Sequence, residues 1–133
     1  MNKHSASPVY IDVPVSAGFP SPAGDYLERS LDLNERLVPR PAATFFIRVR
    51  GDSMTGVGIL DGDLLIVDRS CRPKSGDVVV AIVNGHFTVK LFVKTNEGAW
   101  LKAANPAYQP IALTADTDAE IWGVVTYAVH SFR

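Results

Sequence analysis

From Thr44 onward, apolar and polar positions alternate with a period of two, the pattern of half-buried strands. In FFIRVR (45–50), Phe45, Ile47 and Val49 share one face. DLLIVD (63–68) is a short apolar run between aspartates, and DVVVAIV (77–83) is a second run that reads as buried on both faces. Asn84-Gly85 follows at once. A type I′ turn needs φ > 0 at both central positions, which Asn and Gly tolerate, so this dipeptide predicts a tight hairpin. The return strand HFTVKLFVK (86–94) carries Phe87, Val89, Leu91 and Val93 on one face and His86, Thr88, Lys90, Phe92 and Lys94 on the other. AWLKA (99–103), PIAL (110–113) and EIWGVVTYAV (120–129) complete the series. No helical pattern longer than about 12 residues interrupts it. The pattern predicts a mainly β domain of about seven or eight strands, curled or sandwiched.

The first 25 residues follow no such period. Pro8, Pro14, Pro20 and Pro22 lack backbone donors and push the residues before them to extended conformations, which predicts an extended or flexible arm outside the core. Between them and the strands, Asp25 is an acceptable helix N-cap, and Leu27/Leu31 and Leu33/Leu37 are each spaced by four. The two pairs are out of phase. One helix over 25–38 and two short turns are both compatible with them, and Pro39 and Pro41 end whichever forms. The expected organisation is therefore an arm over residues 1–25 and a β-rich domain over 26–133.

Composition narrows the function classes. The chain has 133 residues, 47% hydrophobic and 20% charged, which is enough for one domain with a core. The formal net charge of −1 lacks the basic surplus of a protein that binds nucleic acid chiefly through phosphates. A single cysteine, Cys71, excludes an intrachain disulfide and a multi-cysteine zinc site, and fits a reducing, cytoplasmic compartment. The longest unbroken apolar run, Val78 to Val83, is far short of the roughly 20 residues a membrane helix needs. Asp12 and the prolines likewise interrupt any signal-peptide core. No cofactor or metal is expected. His4, His86 and His130 stand at no ligand spacing, and Asp61, Asp63 and Asp68 lack a closing glutamate and read as turn formers. The glycines of residues 56–62 have no βαβ setting, and Arg69, Arg72 and Lys74 read as a solvated loop.

Two residues carry candidate chemistry. Ser53 lies in Gly51-Asp52-Ser53-Met54, directly after a predicted strand. A glycine-flanked turn of this kind leaves the hydroxyl open and neighbouring N–H groups available, as an oxyanion hole requires. Lys90 sits mid-strand on the face of Phe92, and an aromatic two positions away implies that something covers that face. Such cover lowers a lysine pKa from about 10.4 towards the 7–8 useful in a general base. A Ser–Lys pair of this kind needs no histidine. Each residue also has an ordinary explanation, a solvated turn serine and a solvent-facing strand lysine.

Several segments, taken in order, resemble one family. Ala17-Gly18-Phe19-Pro20-Ser21-Pro22 is similar to the cleavage segment of the self-cleaving LexA/UmuD group, in its UmuD/MucA branch, and Gly51-Asp52-Ser53-Met54 to its nucleophile motif. Residues 61–68 and 76–79 resemble its strand signatures, Phe87-Thr88-Val89-Lys90 its lysine strand, and Asn105-Pro106-Ala107-Tyr108 and Gly123-Val124-Val125 its C-terminal signatures. The resemblance spans about Gly18 to Arg133. It implies a LexA-like β fold with Ser53 as nucleophile and Lys90 as general base, and cleavage of the Ala17–Gly18 peptide on the same arm or a dimer partner's. Some members of the UmuD branch carry Cys before the cleaved Gly. This chain has Ala17, and Ala-Gly is used in the wider group. Only 17 residues precede Gly18, too few for a helix-turn-helix unit, so the expected role is UmuD-like and not that of a repressor. That role implies a homodimer, stimulation by a RecA filament on single-stranded DNA, and service as accessory subunit to a UmuC-type translesion polymerase. It implies no sequence-specific DNA contact and no membrane. The competing expectation is an inert β-rich interaction module that binds partners through its arm or a sheet edge.

Overall fold

A computed structural model describes residues 8–12, 18 and 27–133. The chain divides into two compact units, Met1–Pro39 and Arg40–Arg133. In the first, β1 (Val9–Asp12) pairs antiparallel with β2 (Leu27–Ser30), Val9 opposite Ser30. The only helix of the unit's described residues is α1 (Leu33–Leu37), far shorter than a helix over 25–38. The reason is local. Asp32 is the N-cap, its carboxylate accepting the Asn34 N–H at 2.9 Å, so Leu27 falls before the helix and is drawn into strand pairing. Leu33 and Leu37 keep their helical spacing, and Arg36 lies over the ring of Tyr10. The arm was expected to be extended or flexible, and residues 9–12 are extended and paired as β1. Asp25 and most of the proline-rich stretch lie outside the described residues.

The second unit holds seven strands in one antiparallel sheet: β3 (Thr44–Arg48), β4 (Leu64–Asp68), β5 (Val78–Val83), β6 (His86–Thr95), β7 (Gly98–Lys102), β8 (Ile111–Ala112) and β9 (Ala119–Val129). Their order is β3-β4-β9-β5-β6-β7-β8. The β5–β6 hairpin turns at Asn84 (φ 49°) and Gly85 (φ 79°), the two positive values a type I′ turn demands. β9 is long enough to pair with both β4 and β5 because two bulges, at Trp122 and Thr126, break its register and bend it. The sheet is curled and open, with β3 and β8 as its edges.

β5 lies between β9 and β6, and its alternate residues enter two cores. Val80 joins Val49, Met54, Ile59, Leu65 and Val67 on one face. Val79 and Ala81 join Phe92, Leu101 and Val124 on the other. The run read as two-sided is thus buried on both sides. Trp122 packs against the first core, with Phe45 and Phe87 against its ring at 5.2 and 5.3 Å and the Arg69 guanidinium over it at 4.5 Å. Arg69 is therefore a packing residue, not merely part of a solvated loop. Gly123 follows the bulge, where an added Cβ would sit 2.6 Å from the Val67 side chain.

Two aspartates read as turn formers are instead buried and paired. Asp63, 1% exposed, meets the imidazole of His130 and accepts the Leu60 N–H. Asp68, 2% exposed, accepts the guanidinium of Arg40 and both the hydroxyl and N–H of Ser70. The Ser70 hydroxyl, helped by Arg40 and the Ser70 N–H and opposed by burial, holds the Asp68 carboxyl down to about 2. Because that value lies below the unfolded value of about 3.9, the stabilisation is complete above that pH and is lost as pH falls towards 2. Asp68→Asn should lower stability by about 2 kcal/mol at neutral pH. It should also flatten the acid limb of a urea-denaturation series between pH 5 and 2.

Candidate functional site

Ser53 lies in a loop between β3 and β4 that is pinned from both ends. At its start, Gly51 adopts φ +100° and donates its N–H to Asp61 Oδ1 at 2.8 Å. At its end, a 3₁₀ turn (Thr55–Val57) closes at Gly58, φ +84°. Between them Met54 is buried in the first core, and its carbonyl accepts the N–H groups of Val57 and Ile59. An anchored neighbour on each side leaves Ser53 half-buried and set in place. Among the described residues, the N–H groups of Asp52, Ser53 and Met54 donate to no protein acceptor. They are available to a charge developing nearby. Ser53 lines a cavity of about 290 Å³ with residues 47–51, Met54, Val80 and residues 87–89.

Lys90 is not in that wall; it is the next residue along β6 after Val89. It projects from the β6 face that bears Phe92, opposite Val79 of β5. This is the face that enters the second core, and Lys90 and Phe92 are only 9% and 8% exposed. Among the described residues, no carboxylate forms an ion pair with Lys90. Burial alone therefore governs its ammonium, and desolvation pushes its pKa below the ordinary lysine value. The Tyr108 ring faces it, its centroid 5.5 Å from Nζ.

Tyr108 links lysine to serine. Its hydroxyl donates to Asp52 Oδ1 at 2.8 Å, and Asp52 adjoins Ser53. The Asp52 carboxylate in turn raises the Tyr108 phenol pKa, so the bond stays protonated. Tyr108 ends a turn begun by Asn105, with Tyr108 N–H donating to the Asn105 carbonyl at 3.1 Å. Asn105 accepts the Ala107 N–H and donates Nδ2 to the Asp52 carbonyl at 3.2 Å. The Gly56 N–H donates to the Ala104 carbonyl at 2.8 Å. A Cβ on Gly56 would collide with that same oxygen, so only glycine allows the approach. Residues 104–108 thus brace the serine loop at three points.

Ser53 and Lys90, singled out from sequence, are linked through Asp52 and Tyr108, and among the described residues no hydrogen bond joins the two directly. Asp52, Asn105, Gly56 and Tyr108 were given no role from sequence. Asp52 and Tyr108 are 56 positions apart, and no periodicity signals such a contact. Asn105-Pro106-Ala107-Tyr108 was legible as a resemblance to a family signature, without a contact to the serine loop. Gly18 is exposed in a bend, and Ala17 lies outside the described residues. Among the described residues, no three His, Cys, Asp or Glu side chains group as a metal site, and no helix is long and apolar enough to cross a membrane.

Residues 8–126 match the Peptidase S24-like family. The chain is 44% identical over 123 residues to the protein ImpA of Salmonella typhimurium, covering 88% of this chain and 79% of that one. It is 46% identical over 117 residues to the protein SamA of Salmonella typhimurium strain LT2, covering 88% and 81%. It is 42% identical over 116 residues to the protein MucA of Escherichia coli, covering 86% and 79%.

A buried ammonium without a counter-ion opposes folding, which is measurable apart from any reaction. Lys90→Met should raise neutral-pH stability by about 1 kcal/mol, since it keeps the packing and removes the charge. The folded Lys90 pKa is depressed, so the unfolded chain holds more protons just below about 10.4 and the wild type gains stability as pH rises there. The gap between variant and wild type in thermal melts should narrow over that window.

Proposed function

The chain belongs to the Peptidase S24-like family, as a UmuD-type SOS mutagenesis protein, and from that premise we propose that Ser53 and Lys90 are a self-cleaving dyad acting on Ala17–Gly18. The observation that carries this reading is Lys90 itself, desolvated, without an ion-pair partner among the described residues, and linked through Tyr108 and Asp52 to the loop of Ser53. A neutral amine accepts the Ser53 proton while Oγ bonds to the Ala17 carbonyl carbon. The oxyanion that forms takes hydrogen bonds from the free N–H groups around Ser53. Collapse breaks the C–N bond, and the Gly18 nitrogen leaves with the proton Lys90 had taken. The Ser53–Ala17 ester is then hydrolysed by a water that Lys90 deprotonates, restoring the serine. Gly18 lets the backbone approach the hydroxyl closely, and tethering replaces a bimolecular encounter with a high effective concentration.

Residues 1–25 are on this reading the cleavable arm, and residues 26–133 carry the peptidase-like and dimerisation functions. The trimmed homodimer serves a UmuC-type translesion polymerase in the cytoplasm. A RecA filament on single-stranded DNA speeds cleavage by stabilising the competent arm conformation, a shift in population and not new chemistry. The net charge of −1 fits a protein whose contact with DNA runs through those partners.

Incubation at increasing pH, with and without RecA–single-stranded DNA, tests the reading by mass spectrometry. The expected product is the 116-residue fragment Gly18–Arg133. Its rate should rise with pH and level off below the ordinary lysine pKa, because the reactive form is neutral Lys90. Ser53→Ala and Lys90→Ala should each abolish it. Cleavage at this bond by either variant overturns the dyad, and an intact wild type under every condition leaves the inert interaction module.

A further inference from the structure

Tyr108 is exposed over 45% of its surface, yet its two ends meet two different functional elements. The ring lies against the Lys90 ammonium and the hydroxyl is bonded to Asp52. We propose that Tyr108 is a positioning residue for self-cleavage, holding the base on β6 in register with the nucleophile loop. This rests on the Ser53–Lys90 reading and adds a residue to it.

The geometry separates two tasks. The hydroxyl fixes the serine loop against the turn that carries the ring, because Asp52 is covalently next to Ser53 and its carboxylate is held at 2.8 Å. The Asn105 turn makes this rigid. Pro106 restrains the backbone at the second position of the turn, and Asn105 is bonded both within the turn and to the Asp52 carbonyl. The ring face has the other task. An aromatic face attracts a cation within about 6 Å, so it draws Nζ towards the loop and favours its protonated form slightly. The Asp52 carboxylate, on the far side of the tyrosine hydroxyl, acts in the same direction from further off. On the same face β5 contributes Val79 and β7 contributes Leu101, while Lys102 pairs with Leu91 and so belongs to the opposite face. His86 and Lys94 share the Lys90 face of β6 but lie four residues away on either side, and Asp52 is engaged by the tyrosine. Tyr108 therefore holds the base in place at a small cost to the neutral form, which burial more than offsets.

Tyr108→Phe and Tyr108→Leu divide these tasks. In pH–rate profiles of the full chain, Tyr108→Phe should lower the high-pH plateau by roughly tenfold and leave the midpoint in place, because only the hydrogen bond is lost. Tyr108→Leu should show the same loss and also move the midpoint down by about half a unit, because an apolar cover remains without the ring's attraction for a cation. The same downward shift should appear in an NMR titration of Lys90 made in the uncleavable Ser53→Ala chain. A merely structural role would lower the rate without moving either titration. A wild-type plateau in Tyr108→Phe, or identical Lys90 titrations with Tyr and Leu at 108, overturns the proposal. Where Lys90→Ala is inert but the Tyr108 variants cleave like the wild type, only the role of Tyr108 fails. Cleavage by Lys90→Ala removes the dyad and this role together.

Discussion

Among the described residues no carboxylate pairs with Lys90 in its buried place, and most of the second unit's architecture bears on that fact. An ammonium in such surroundings prefers to lose its proton, because burial penalises only the charged form. Pairing it with an acid would relieve the penalty and also restore the proton. The sheet avoids that by surrounding the lysine with Val79 and Phe92 and by leaving an aromatic face as its polar neighbour. The buried acids show the opposite treatment. Asp63 and Asp68 are each given cationic or N–H partners and held as anions. One fold thus stabilises its structural charges and destabilises the charge it is proposed to use.

Such a lysine needs a strand with both faces covered, and that depends on β9. An ordinary antiparallel sheet leaves one face to water. Here β9 bends at Trp122 and Thr126 and can pair with β4 over one part of its length and β5 over another. β5 is consequently interior, its odd and even residues serving different cores, and β6 follows it in register. Gly123 makes the bend feasible, since a side chain there would strike Val67. Stability and chemistry share this element: a change that straightened β9 would open the face on which Lys90 lies.

Local rules were legible where local physics decides. The Asn84-Gly85 turn, the apolar run of β5 and the alternation of β6 each follow from a few adjacent residues. Phe92 already signalled that the lysine face was covered, because an aromatic side chain on a solvent face would forfeit its burial. Of the two readings left open over 25–38, the short helix is realised only at Leu33–Leu37, because Asp32 caps it there and β1 offered Leu27–Ser30 a strand partner from upstream. The charged pairs Arg40–Asp68 and Asp63–His130 were illegible, being set by tertiary contact across 28 and 67 positions. The site was legible as two residues and not as a site. What joins Ser53 to Lys90 is a turn some fifty residues downstream of the serine, and nothing in its letters says which loop it touches.

That division has a consequence for how the reaction would be controlled. A base activated by burial is always in place, so protonation alone cannot switch it on at the moment of need. The proposed nucleophile, on a pinned loop, is likewise permanent, held by Met54 on one side and by residues 104–108 on the other. With both proposed reacting groups fixed, the variable left is the position of the proposed scissile peptide. Control by a partner then needs no contact with the dyad. It requires only that the partner bind more tightly to chains whose arm is placed for attack, and the rate scales with the fraction of chains so placed.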